Sequence, residues 1–148
     1  SYSQEDSLKV IAINKIAHKI DNTKGNFEKS LNLKIDTINV AVKKFKNKVE
    51  TESVFLKSNT KISIELYFDN DSLILVRIKE QSPTMEDLFN HTVYYYEKKK
   101  RFSQDYYHNV RICLPISFEK SIYEIYGYNE YLGGKFLETY VEKLVSKI

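Results

Sequence analysis

Between Lys61 and Glu80 apolar residues recur on every second position at Ile62, Ile64, Leu66 and Phe68 and again at Ile74, Val76 and Ile78, and the two runs are parted by the polar break Asp69-Asn70-Asp71-Ser72. A period of two marks a strand with one buried face. Two such runs joined by a short polar break form a hairpin. The register follows from asking which pairing sorts the apolar residues. A two-residue turn at Asn70-Asp71 pairs Asp69 with Ser72, and sets Ile62, Ile64, Leu66 and Phe68 beside Leu73, Leu75, Arg77 and Lys79. A three-residue turn, Asn70-Asp71-Ser72, pairs Phe68 with Ile74 instead. It gathers Ile62, Ile64, Leu66, Phe68, Ile74, Val76 and Ile78 on one face, with Ser63, Glu65, Tyr67, Leu73, Leu75, Arg77 and Lys79 opposite. A slip of one residue exchanges the two faces, so the three-residue register is expected.

The acidic break also invites a metal reading, which fails. A calcium loop starting at Asp69 would have Asp71 at position 3 and Glu80 at position 12. Position 5 would be Leu73, without a side-chain oxygen, and position 6 would be Ile74 where the bend needs glycine. Asn and Asp tolerate the left-handed backbone of a tight turn, so the residues form a corner and no metal or cofactor site is expected. The stretch Tyr67-Phe-Asp-Asn-Asp-Ser-Leu73 resembles the Tyr-Phe-Asp-Asn-Gly-x-Leu hairpin of uncharacterised exported bacterial proteins built as a helix plus a β-meander. More distantly it is similar to MORN-type hairpin repeats. The resemblance implies fold and little about activity, and Asp71 stands where that pattern has Gly. Tyr67, Tyr95 and Tyr123 fall 28 apart, as a hairpin repeat gives, although the flanking residues do not match.

Further strands are expected at Val54–Lys57, Phe89–Glu97, Tyr106–Leu114 and, more weakly, Ile122–Tyr128, with connections short enough to be antiparallel. Val10, Ile13, Ala17 and Ile20 predict an N-terminal helix, with Ser3, Asp6 and Ser7 as candidate caps. Phe136, Leu137, Tyr140, Val141, Leu144, Val145 and Ile148 predict an amphipathic C-terminal helix. Residues 31–46 fit two periods. Leu31, Ile35, Ile38, Val42 and Phe45 make a helical stripe, while Leu31, Leu33, Ile35 and Ile38, Val40, Val42 alternate. A helix from about Phe27 to Ile38, followed by a strand, is the favoured reading. The fold class is therefore α+β: one or two N-terminal helices, an antiparallel meander of five or six strands, and a C-terminal helix. The helices are expected on the face of Ile62, Ile64 and Leu66.

The chain of 148 residues suits one domain. Its net charge is +3, and 20 of its 23 basic residues are Lys. Nucleic-acid binding favours Arg and a stronger basic excess, so nucleic acid is a disfavoured partner. No apolar run approaches the ~20 residues of a membrane span. Cys113 is the single cysteine, so no internal disulfide forms. Ser1-Tyr2-Ser3 has the small-x-small look of a signal-peptidase site. This makes export, to a periplasm or envelope, the expectation, with the cytoplasm as the alternative.

No phosphate loop, serine elbow or paired metal motif appears. His18 reads as solvent-facing, His91 and His108 as strand-face residues, and Cys113 as a packed strand residue. The stretch Tyr94-Tyr-Tyr-Glu-Lys-Lys-Lys-Arg-Phe102 interleaves aromatics with cations. It reads first as a strand entering a solvated basic turn. Tyr67, Leu73 and Leu75 make the second sheet face unusually apolar, so either more chain covers it or it binds something. The candidate partner surface comprises Tyr67, Leu73, Leu75, Tyr94, Tyr96, Lys98, Lys99, Lys100 and Arg101. The expected function is a non-enzymatic module that binds another protein through an open tyrosine-rich sheet face. The alternative is a cytosolic inhibitor of the immunity or antitoxin type.

Overall fold

The structure, a computed structural model, describes residues 3–23, 25–26, 28–55, 59–85, 88–109 and 134–148. Helix α1 (Gln4–Thr23) begins where Ser3 Oγ accepts the Asp6 N–H at 3.1 Å, a side-chain N-cap. Seven strands follow in a meander: β1 (Lys29–Ile35), β2 (Ile38–Lys44), β3 (Lys48–Phe55), β4 (Thr60–Asp69), β5 (Ser72–Gln81), β6 (Phe89–Glu97) and β7 (Lys100–Asn109). They lie side by side in chain order, all antiparallel. Helix α2 (Gly134–Lys147) ends the chain. The α+β class and the meander are as the sequence implies, with one or two strands more. The strand expected at Ile122–Tyr128, and the part of the other beyond Asn109, lie outside the described residues.

The two helices cover opposite faces of the sheet, not the same one. Leu137, Tyr140, Val141 and Leu144 of α2 pack on Ile62, Ile64, Leu66, Val76, Ile78 and Tyr94. The Tyr140 hydroxyl reaches Ser53 Oγ at 3.2 Å, and Lys147 Nζ donates to the outward carbonyl of Lys34 at 2.7 Å. Ile13, Ala17 and Ile20 of α1 pack on Tyr67, Leu75, Val93 and Tyr95. The second face was too apolar for water, and α1 is the chain that covers it. Burying each large apolar side chain contributes roughly 1.5–3 kcal/mol, so neither helix can leave without exposing a core.

The helix expected over Phe27–Ile38 is instead the hairpin β1–β2. Asp36 takes φ 54°, a left-handed conformation that ends any helix there. Leu31 pairs with Val42 and Leu33 with Val40, so the alternating residues sit on one face. The helical stripe was a coincidence of spacing in a segment rich in strand-favouring residues.

At the β4–β5 corner the turn has two residues. Asn70 and Asp71 take φ 49° and 65°, the type I′ geometry, and Asp69 pairs with Ser72. Phe68 pairs with Leu73 and Tyr67 with Leu75, so Ile74 is an extra, bulged residue. Inward of that bulge the expected register holds: Leu66 faces Val76 and Ile64 faces Ile78. At the tip it fails. Ile74 packs on the α1 side, while Phe68 and Leu73 pack on the α2 side. A two-residue turn plus a bulge uses the same number of residues as a three-residue turn, so the sorting of the buried pairs could not tell them apart.

The β6–β7 hairpin repeats this construction 28 residues later. Lys98 and Lys99 form its tip at φ 51° and 66°. Glu97 pairs with Lys100, Tyr96 with Arg101 and Tyr95 with Ser103, leaving Phe102 as the extra residue. Like Ile74, Phe102 packs on the α1 side. Tyr67 and Tyr95 therefore occupy equivalent positions. Tyr123 lies outside the described residues.

Candidate functional site

The β6–β7 hairpin is gripped on both faces and free at its end. On one face Lys9 of α1 pairs with Glu97 at 2.7 Å and lies over the Phe102 ring, 5.8 Å from its centroid. Its hydrogen bond to Lys9 lowers the Glu97 pKa. On the other face Arg101 pairs with Glu138 of α2 at 2.7 Å and stacks over Tyr94, 4.8 Å from its centroid. Burial pushes the Tyr94 and Tyr96 hydroxyls up to about 12, so both stay protonated. Beyond this collar, Lys98, Lys99 and Lys100 are exposed, and none forms an ion pair among the described residues.

The tip is a poor turn sequence in a demanding turn geometry. Type I′ turns require positive φ at both central residues and favour Asn-Gly or Asp-Gly. Asn70-Asp71 fits that rule. Lys98-Lys99 does not, since a left-handed residue with a long side chain costs about 1–2 kcal/mol. The result is three exposed cations, Lys98, Lys99 and Lys100, held out beyond the Arg101–Glu138 pair on a β-ribbon.

The residues proposed from sequence do not form one surface. Tyr67 and Leu75 are wholly buried beneath α1. Leu73 is turned to the opposite face by the bulge. Tyr94 and Tyr96 also lie on the α2 side, Tyr94 only 2% exposed. The structure therefore places Leu73, Tyr94 and Tyr96 together on the α2 side, with Lys98, Lys99, Lys100 and Arg101 continuing from Tyr96 along the hairpin, and removes Tyr67 and Leu75 from them.

A feature missed in the sequence lies under the end of α1. Lys48 is 3% exposed; its Nζ lies 2.7 Å from Asp21 Oδ1 and also contacts Glu65. The Tyr67 hydroxyl is 2.9 Å from both Asp21 oxygens and accepts from Arg77 Nη1 at 3.2 Å. Burial alone would raise the Asp21 pKa, but the Lys48 ammonium and the Tyr67 hydroxyl outweigh it and the net shift is downward. Burial likewise pulls Lys48 down, and its bonds to Asp21 and Glu65 reverse that. This knot fastens α1 to β3, β4 and β5. The available signal was Asp21 itself, an acid in the last turn of a helix, where the dipole disfavours it unless a cation is supplied.

A cavity of about 520 Å³ opens between the start of α2 and strands β5–β7, with Glu80, Thr92 and Tyr94 on its walls. Burial raises the Glu80 carboxyl to about 7. His91 stacks on Tyr107 at 4.5 Å, and desolvation followed by the Lys79 charge lowers its pKa. His18 is exposed beside Asn22. The His108 side chain and Cys113 lie outside the described residues. Among the described residues no three His, Cys, Asp or Glu side chains gather as a metal site, and no helix is long and apolar enough to cross a membrane. No known protein family, curated protein or solved structure matches the chain.

Proposed function

We propose that the protein is a binding module that engages another protein through the β6–β7 hairpin, setting Lys98, Lys99 and Lys100 against an acidic patch of its partner, with Arg101 held by Glu138 at their base. One observation carries this reading: Lys98 and Lys99 hold left-handed backbone at the very positions where the equivalent hairpin carries Asn70 and Asp71. Strain kept where a better turn is available is a mark of function. The collar of Glu97, Tyr94, Tyr96 and Glu138 fixes the ribbon, so little entropy is lost when the tip is covered. Rim cations of this kind chiefly accelerate and orient association. The net charge of +3 and the three Arg favour a protein over nucleic acid.

The test replaces the tip by the preferred turn, Lys98→Asn with Lys99→Gly, and compares capture from nuclease-treated native extract. Wild type is expected to retain its partner after nuclease treatment, and the double variant to lose it while folding at least as stably. Equal capture by both proteins, or loss of capture on nuclease treatment, removes the reading.

A further inference from the structure

Strand β1 ends the sheet: among the described residues its one strand neighbour is β2. In a two-residue hairpin the residues flanking the turn bond to each other, and bonded pairs recur at every second residue. Ile35 and Ile38 flank Asp36-Thr37, so Leu33 and Leu31 also direct their backbone groups to β2. Ser30, Asn32 and Lys34 therefore turn theirs outward. The Lys34 carbonyl accepts from Lys147 Nζ at 2.7 Å. The outward N–H groups of all three, and the carbonyls of Ser30 and Asn32, have no partner among the described residues. All three residues are exposed.

The side chains are equally incomplete. Val40 and Val42 on β2 are each 1% exposed, whereas their cross-strand partners Leu33 and Leu31 are half-buried. The apolar layer beneath α2 thus thins at its last strand. A further strand would set its own apolar side chains opposite Leu31 and Leu33 and extend the backbone ladder. Charge selects which strand. Lys29 lies at one end of β1, Lys34 with Lys147 at the other, and β1 carries no acid. Edge lysines repel a second copy, which brings the same cations, and attract an acidic strand. We infer that the β1 edge is a second binding site, taking an extended peptide segment in which acidic and apolar residues alternate. It lies six strand spacings, roughly 29 Å, from β7 and the lysine tip.

The probe is a fluorescein-labelled heptapeptide alternating glutamate and valine, the length of β1. A lysine–valine heptapeptide and a fully backbone N-methylated glutamate–valine heptapeptide are the controls. Binding is followed by anisotropy, and amide hydrogen exchange of the full chain locates it. The glutamate–valine peptide is expected to bind below about 1 mM and to slow exchange at the Ser30, Asn32 and Lys34 amides. The N-methylated peptide should not bind. Lys34→Glu, at an exposed position, should weaken the acidic peptide at least tenfold. Asn32→Pro removes an outward N–H and no β1–β2 bond, and should abolish binding. Lys98→Asn with Lys99→Gly should leave it unchanged, which separates this site from the hairpin. Absence of binding, binding that leaves the three edge amides exchanging as before, or equal affinity for the lysine–valine peptide overturns the inference. So does undiminished affinity in Lys34→Glu, loss of binding in the tip variant, or the same slowing in concentrated protein alone, which would put a second copy at the edge.

Discussion

The β4–β5 and β6–β7 hairpins share a backbone and differ in what they carry. Each has a two-residue left-handed tip, a bulge on the returning strand, and a tyrosine beneath α1. The first spends its polar chemistry inward. Tyr67 joins Asp21, Lys48, Glu65 and Arg77 in the knot under α1, and its tip is the favourable Asn70-Asp71. The second spends it outward. Tyr95 donates its hydroxyl to Asn14 Oδ1 at 3.1 Å, and its tip is the unfavourable Lys98-Lys99. One hairpin fastens α1 to the sheet, and the other leaves the cations of its tip exposed.

The largest effect belongs to the knot. Lys48→Ala leaves Asp21 and Glu65 without their shared cation, with Arg77 remaining at 3.7 Å from Asp21. It should destabilise by about 3 kcal/mol, the low end for a buried pair because both carboxylates are about a third exposed to solvent, measured by chemical denaturation. The pH dependence follows from the shifts. Asp21 is lowered, so its contribution is present above its ordinary value and is lost as pH falls through the folded one. Lys48 is raised, so its contribution is complete below its ordinary value and is lost as pH rises beyond it. An unchanged midpoint in Lys48→Ala would show that the inward hairpin holds nothing.

Strand β5 carries the next effect, on its other face. Glu80 is 3% exposed and its carboxyl is raised to about 7. The folded state therefore binds the proton more tightly than the unfolded one. Stability should fall as pH rises from about 4.5 to 7 and be flat above, by on the order of 3 kcal/mol in all. Glu80→Gln should remove that slope; if the slope persists in the variant, another group is its source.

The equivalent tyrosines give the sharpest comparison. Tyr67→Phe removes a hydroxyl shared by Asp21 and Arg77, at a cost of about 2 kcal/mol. Tyr95→Phe removes the neutral hydrogen bond to Asn14, at a cost of about 1 kcal/mol. Equal losses would erase the distinction between the two hairpins.

Much of this was legible in the alternation of Ile62 to Ile78, which sets the sheet and its register away from the tips. The bulges were not, since a two-residue turn with Ile74 or Phe102 as an extra residue gives the same inner pairing as a three-residue turn. The 28-residue spacing of Tyr67 and Tyr95 was visible as a number. Its meaning was hidden because neighbours of unlike chemistry occupy the same backbone. Lys98 to Arg101 could be picked out by charge alone. That two of them sit in left-handed conformation is a property of the closed ribbon. The knot needed tertiary structure: Asp21, Lys48, Glu65 and Arg77 are far apart in sequence, and only the crossing of α1 over β3–β5 unites them.

The most direct measurement exchanges the two tips and follows stability by denaturant titration. Lys98→Asn with Lys99→Gly should gain about 1–2 kcal/mol, and Asn70→Lys with Asp71→Lys should lose a comparable amount, with unchanged denaturant slopes. No gain from the first exchange would mean that the lysines sit there at no cost, which contradicts the account of the second hairpin as a strained contact tip.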